Sequence, residues 1–317
     1  MPYVAFNSLG TRFVFASDNS FYVYTVSPME LLYHTKLEHK IKRIELLDNT
    51  NVMLIIYENK PNIVYVWDDQ RKTTMAELET KTPILALKIR KEYLVIATNT
   101  RVFVYKLFEF SNVFVLDTAE NSSGALQITP HGTLLIATLG VNAQDLIVRE
   151  IAEGIDKVHT YITGAHKTPI RCVALSVDGK KVATASEKGT IFRVFDVATG
   201  KKLKELRRGR YQTPILDMSI TDTLLMSIGQ NKTVHWHDLE NDRQSYFSSI
   251  ETSIEKYYVA LEELASKQPD ATYVCKIING TESMVLGNYG EYFVFRGMKL
   301  HEKSWYRETI QEQQPRV

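Results

Sequence analysis

One short pattern recurs seven times along this chain: a tight run of apolar and aromatic residues that stops at a polar one. The copies are Phe21–Tyr24, Val64–Trp67, Val102–Tyr105, Leu146–Arg149, Phe192–Phe195, Val234–His237 and Tyr292–Phe295, and their last residues are 43, 38, 44, 46, 42 and 58 positions apart. Every interval but the last lies near the period of a four-stranded propeller blade. The other strands accompany each copy in a constant order. In the fifth, residues 169–175 form an apolar run, Asp178-Gly179 a turn, residues 181–186 a second strand, Lys188-Gly189 the approach to the third, and Ala198-Thr199-Gly200 a turn into the fourth. Thr, Val, Ile and aromatic residues between turn signals of this spacing mark short paired strands.

No segment before residue 250 sustains a helical period. The chain therefore reads as all-β: one seven-bladed β-propeller over residues 1–306, with blades beginning near 3, 41, 83, 124, 169, 214 and 271, and a polar, disordered tail over 307–317. A length of 317 residues would ordinarily suggest two domains, but propellers exceed that prior as single units. The first and last repeats are each complete, so the ring should close by packing rather than by exchange of a strand.

Charge excludes several functions. The formal net charge is +1, without the broad basic surplus of a general nucleic-acid binder. Cys172 and Cys275 form neither a disulfide framework nor a metal knuckle, which fits a reducing, intracellular compartment. The opening residues MPYVAFNSLG lack a basic region followed by an apolar core, and the longest apolar runs, such as Val52 to Tyr57, are too short to span a bilayer. Any membrane contact is expected to be peripheral.

Against that neutral background Lys201 to Arg210, KKLKELRRGR, holds six cationic residues and one acid, Glu205. On a strand, Arg207 and Arg208 point to opposite faces, so two adjacent arginines imply two sites. Arginine's planar fork matches phosphate oxygens, and Gly209 would let the chain turn sharply afterwards. Read alone, the stretch is more readily a solvated strand end than a binding site.

Trp67-Asp68, Phe195-Asp196 and His237-Asp238 end the third strands of blades two, five and six, where WD repeats carry their dipeptide. Ala165-His166 stands where a WD repeat has Gly-His. In that setting His166 would be a buried structural residue, with Asp178 and Ser186 available to complete its hydrogen bonds.

Around blade five the sequence resembles the PROPPINs, the phosphoinositide-binding propellers that include the WIPI proteins. The matching pieces are Ala165-His166, the run Ala183 to Thr190, Arg193, and Arg207-Arg208-Gly209 after Leu206, which replaces the family's usual Phe at a packing position. The resemblance implies two headgroup sites, one on either side of the fourth strand of blade five. The first would use His166, Ser186, Gly189, Thr190, Arg193 and Arg207. The second would use Arg208 with Thr233 and His235. Gly229 stands there where the family often has Ser, with Lys232 or Arg210 to compensate.

The long last interval carries an insertion over 240–270 near the junction of blades six and seven. Ile254, Tyr257, Tyr258, Leu261 and Leu264 fall on one helical face, with a capping signal in Thr252 and Glu255. The resemblance places such an insertion between the last two strands of blade six. Arg243 to Ser249 is a candidate for the fourth strand, which would instead put the helix between blades. The helix is acidic, so membrane contact is assigned to Arg243, Tyr246 and Phe247, and the helix is expected to stay on the propeller.

No phosphate loop, zinc spacing or nucleophile motif is present, so no enzymatic activity, cofactor or metal is expected. The resemblance implies a peripheral adaptor, monomeric in solution. It would bind phosphatidylinositol 3-phosphate and phosphatidylinositol 3,5-bisphosphate on autophagosome-precursor, endosomal or vacuolar membranes and recruit autophagy or trafficking proteins there. The alternative is a WD-repeat protein scaffold without lipid binding.

Overall fold

The computed structural model describes residues 1–152, 155–240, 258–261 and 265–305. Its 28 strands, β1 to β28 in chain order, make seven four-stranded antiparallel sheets, each built from four consecutive strands. Every sheet is one blade of a propeller. The innermost strands are β1 (Tyr3–Phe6), β5 (Ile41–Leu46), β9 (Ala86–Arg90), β13 (Leu126–Ile128), β17 (Ile170–Leu175), β21 (Ile215–Ile220) and β25 (Tyr273–Ile277), and they surround a central channel.

The core is a ring of apolar clusters, one at each junction between blades. A second strand such as β6 (Val52–Tyr57) is buried along its whole length because blades pack on both of its faces. It therefore reads as a continuous apolar run rather than an alternating one. The recurring tetrapeptides are the third strands. In blades one to five and seven, the pairing of third with fourth strand shifts register between the tetrapeptide's third and fourth residues, as at Val104/Tyr105 and Val194/Phe195. A bulge there increases the local twist. Where Asp follows the tetrapeptide it caps the next turn: Asp68 Oδ1 accepts from the Gln70 and Arg71 N–H groups, and Asp196 Oδ1 from the N–H and hydroxyl of Thr199.

Blade seven closes on blade one without exchanging a strand. Val4, Phe13, Phe15 and Tyr24 share a cluster with Met284, Leu286 and Tyr292. Asn288 Nδ2 also donates to the Pro2 carbonyl at 3.1 Å, and Lys276 Nζ to the Ser8 carbonyl at 3.1 Å.

One expectation is corrected in blade six. Tyr258–Ala260 is strand β24, paired with β23 (Thr233–Asp238) through Thr233↔Ala260, Val234↔Val259 and His235↔Tyr258. Tyr258 thus belongs to the fourth strand of blade six rather than to the expected helix, and the other candidate for that strand, residues 243–249, lies outside the described residues. The free edge of β23 needs backbone partners, and the next residue, Leu261, is fully buried between blades six and seven. At Tyr258 and Leu261, edge pairing and burial take precedence over the three-to-four spacing. The last two strands of blade six are therefore separated in sequence by residues 239–257. Ile254, Tyr257 and Leu264 lie outside the described residues, as do Arg243, Tyr246 and Phe247.

Candidate functional site

Blade five is β17, β18 (Lys181–Ser186), β19 (Ile191–Asp196) and β20 (Lys202–Arg207), with β20 on the outer edge. The pairs Ile191↔Arg207 and Arg193↔Glu205 set Arg193, Glu205 and Arg207 on one face. Leu206 and Arg208 point the other way. Leu206 is buried in the cluster between blades five and six, as its packing position requires.

On the first face Arg193 is only 16% exposed and is held on two sides. Its Nε lies 2.8 Å from Glu205 Oε2, and its Nη1 donates to the Ala165 carbonyl at 2.9 Å. Nη1 also lies 3.3 Å from His166 Nδ1. Because a guanidinium can only donate, Nδ1 accepts and Nε2 carries the proton, which it gives to Thr184 Oγ1 at 2.9 Å. His166 is therefore the buried structural histidine that the WD repeat suggested, with different partners: Thr184 rather than Ser186, and Arg193 rather than Asp178. Asp178 instead accepts from Ser176 and the Lys180 N–H. Burial, reinforced by the Arg193 charge, lowers the His166 pKa to about 4.

Arg207 is exposed and makes no hydrogen bond or ion pair with any described residue. The side-chain hydroxyls of Ser186 and Thr190 likewise have no partner among the described residues. This face thus offers one free guanidinium, the unengaged Nη2 of Arg193 and two hydroxyls. Glu205 is the one acid among them. Hydrogen bonds from Lys202 and Arg193 hold its carboxyl down to about 2.

Gly189 joins the two faces. Its φ is +59°, and a Cβ there would lie 1.9 Å from the Thr213 carbonyl oxygen, so only glycine fits. Gly209, expected to be the conformationally necessary glycine, has no positive φ, and a Cβ on it would meet nothing within 4 Å.

The second face differs from its expectation. Arg208 does not project into an open pocket; it is 5% exposed. Its Nε donates to the Gly189 carbonyl at 2.6 Å and its Nη2 to the Tyr211 carbonyl at 2.5 Å. Two loop carbonyls with no strand partner are satisfied this way, and that is why the guanidinium turns inward. Tyr211, so anchored by its backbone, carries a side chain that leaves the residue 87% exposed. His235 lies buried near Arg208, and burial followed by the charges of His237 and Arg208 lowers its pKa to about 3. Thr233 Oγ1 donates to Asn231 Oδ1 at 2.7 Å, and His235 Nε2 lies 3.3 Å from the same hydroxyl. Lys232 Nζ reaches the Ser266 carbonyl at 2.5 Å, and Arg210 is exposed. A Cβ on Gly229 would lie 2.6 Å from Asn231 Oδ1. The space of the missing serine is thus taken by the Asn231 side chain, a residue that no motif singled out. The roles of Glu205, Thr184, Asn231 and Tyr211 became visible only in the structure; the lone acid in a basic strand was the one available signal.

Residues 2–278 match the family model described as PROPPIN. The chain is 25% identical over 296 residues to Autophagy-related protein 18 of Aspergillus terreus, covering 85% of this chain and 70% of that protein. It is 28% identical over 254 residues to Autophagy-related protein 18e of Arabidopsis thaliana, covering 77% of this chain and 67% of that protein. It therefore spans about two thirds of the length of these relatives. Among solved structures, Kluyveromyces lactis Hsv2 superposes with a TM-score of 0.79 at 19% identity, over 96% of this chain and 98% of that one. The complex of KlAtg21 with the coiled coil of AgAtg16 gives a TM-score of 0.78 at 19% identity and the same coverages.

Proposed function

Because this chain belongs to the PROPPIN family, we propose that it is a non-enzymatic peripheral membrane adaptor that recognises phosphatidylinositol 3-phosphate and phosphatidylinositol 3,5-bisphosphate along β20. The observation that carries the reading is the exposed Arg207 beside Arg193 and the hydroxyls of Ser186 and Thr190; of these only Arg193 has a side-chain partner among the described residues. Arg207 supplies a bidentate grip on phosphate, Arg193 a fixed positive charge through Nη2, and the hydroxyls donors to inositol or phosphate oxygens. Gly189 brings its backbone close to the ligand, and His166, neutral and buried, orients Arg193.

The second site comprises Arg208, Arg210, Lys232, Thr233 and His235, and here a headgroup has to take over the bonds that Arg208 gives to the loop carbonyls. Site one is therefore the stronger. Membrane contact is proposed for Arg243, Tyr246 and Phe247 on sequence grounds, with Tyr211 as a further aromatic at the interface. Binding would place the protein on autophagosome-precursor, endosomal or vacuolar membranes. Recruitment of autophagy proteins there draws support from KlAtg21, whose structure is a complex with a coiled coil.

Flotation of the full chain with vesicles containing phosphatidylinositol 3-phosphate tests the proposal. Binding is expected for the parent and should be lost in Arg207→Thr with an unchanged melting temperature. A parent that ignores these vesicles would favour the protein-scaffold reading.

A further inference from the structure

The central channel, about 800 Å³, is comparable in size to a small-molecule pocket. Its basic lining residues are Lys42 and Arg43 from β5, Lys88 from β9, Arg171 from β17 and Lys276 from β25. Three acids also line it, and Glu58 is paired with the N-terminal ammonium at 3.1 Å. That leaves Glu45 and Asp217, both of which Lys88 attracts, against five cations. Glu45 accepts from the Tyr3 hydroxyl at 2.9 Å, and Asp217 Oδ2 accepts from the Cys275 N–H at 2.8 Å.

The cations are less well provided for. Lys88 makes no hydrogen bond or ion pair with any described residue, and Arg171 Nε is buried without a partner. Lys88 acts electrostatically on Glu45, Cys172, Asp217 and Lys276, which come from four different blades. Only a side chain inside the ring can be near all four. Lys276 donates to the Ser8 carbonyl, and burial, followed by repulsion from Lys88, lowers its pKa although Asp217 attracts it. Both lysines come from innermost strands and are half-buried, so they share the channel. A multiply charged anion would relieve the repulsion and would give Arg171 Nε and Lys88 Nζ the hydrogen-bond acceptors they lack among the described residues.

The geometry points to the central channel as a binding site for a soluble, multiply charged phosphate compound, held chiefly by Lys88 and Arg171 and distinct from the outer-edge site at Arg207. The phosphate chemistry is shared with a lipid headgroup, and the experiment separates the two sources. The full chain is titrated with inorganic phosphate, pyrophosphate and inositol hexakisphosphate against sodium chloride of equal ionic strength, by calorimetry and by thermal melting. One saturable site per chain is expected for at least one of the three, with a melting temperature that climbs with the logarithm of its concentration. Lys88→Met and Arg171→Met should each weaken it by about tenfold or more, the scale of one lost charge-assisted bond. Arg207→Thr should leave it unchanged, while Lys88→Met should keep the parent's binding to phosphatidylinositol 3-phosphate vesicles. Lys88→Met breaks no hydrogen bond among the described residues, and its melting temperature reports whether it folds; if it does not, Arg171→Met carries the comparison. Absence of saturable binding in the parent overturns the proposal. So does a titration that Arg207→Thr abolishes and the channel variants retain.

Discussion

Arg193 and Glu205 stand opposite one another on β19 and β20, with Nε and Oε2 2.8 Å apart, so the guanidinium aimed at the proposed headgroup site already holds an anion. Lys202 approaches the same carboxylate at 2.9 Å. An incoming phosphate must share Arg193 with a fixed negative charge, and the second phosphate of a bisphosphate meets that charge again.

Glu205→Gln should therefore strengthen binding of soluble headgroups by about fivefold, on the scale of a partly exposed ion pair of ~1 kcal/mol. The gain should be larger for the 3,5-bisphosphate than for the 3-phosphate. Calorimetry with short-chain ligands measures both. A fall in affinity would show that Glu205 positions Arg193 rather than competes for it.

The adjacent arginines should separate by phenotype. Arg207→Thr removes an exposed side chain with no partner among the described residues and should change stability by less than about 0.5 kcal/mol while abolishing vesicle binding. Arg208→Thr leaves two loop carbonyls without their donor and should cost on the order of 2 to 4 kcal/mol. Thermal melting of the two single variants decides, and equal stability would contradict the assigned role of Arg208.

Acid sensitivity should come in part from two buried histidines. The folded-state pKa values of His166 and His235 lie at about 4 and about 3, below the ordinary value of 6.5. Below about pH 6.5 the unfolded chain takes up protons that the folded chain refuses, so stability falls with pH until the folded values are reached. The slope is at most about 1.4 kcal/mol per pH unit for each group. Glu205 acts in a lower window: its depressed folded value of about 2 stabilises the fold above the ordinary carboxylate range and loses that contribution as pH falls towards 2. Melting curves between pH 7 and 4 should flatten in His235→Asn; an unaltered slope would remove His235 from this account.

Two glycines near β20 should respond differently to a methyl group. Gly189→Ala combines a positive φ with a Cβ placed 1.9 Å from the Thr213 carbonyl oxygen, and should cost upwards of about 2 kcal/mol. Gly209→Ala meets open space and should be nearly neutral. Comparable melting temperatures for the two would show that the loop at Thr213 yields easily.

Periodicity by itself determined the propeller. Seven copies of one tetrapeptide at near-constant spacing have few other solutions, because each blade can bury its two faces only against identical neighbours. The same local logic placed Arg207 and Arg208 on opposite faces, since strand alternation depends on nothing beyond the strand. Tertiary structure alone decided what those faces meet. Arg208 turns inward because two carbonyls from separate loops, at Gly189 and Tyr211, converge on it. His166 selects Thr184 because the register of blade five brings that hydroxyl to its Nε2. Blade six is the plainest case. Tyr258, Leu261 and their neighbours carry a helical spacing, yet β23 has an edge whose backbone must be paired and the inter-blade cluster has room for Leu261. Long-range hydrogen bonding and burial therefore outweighed the local period, and neither is written in the residues around Tyr258.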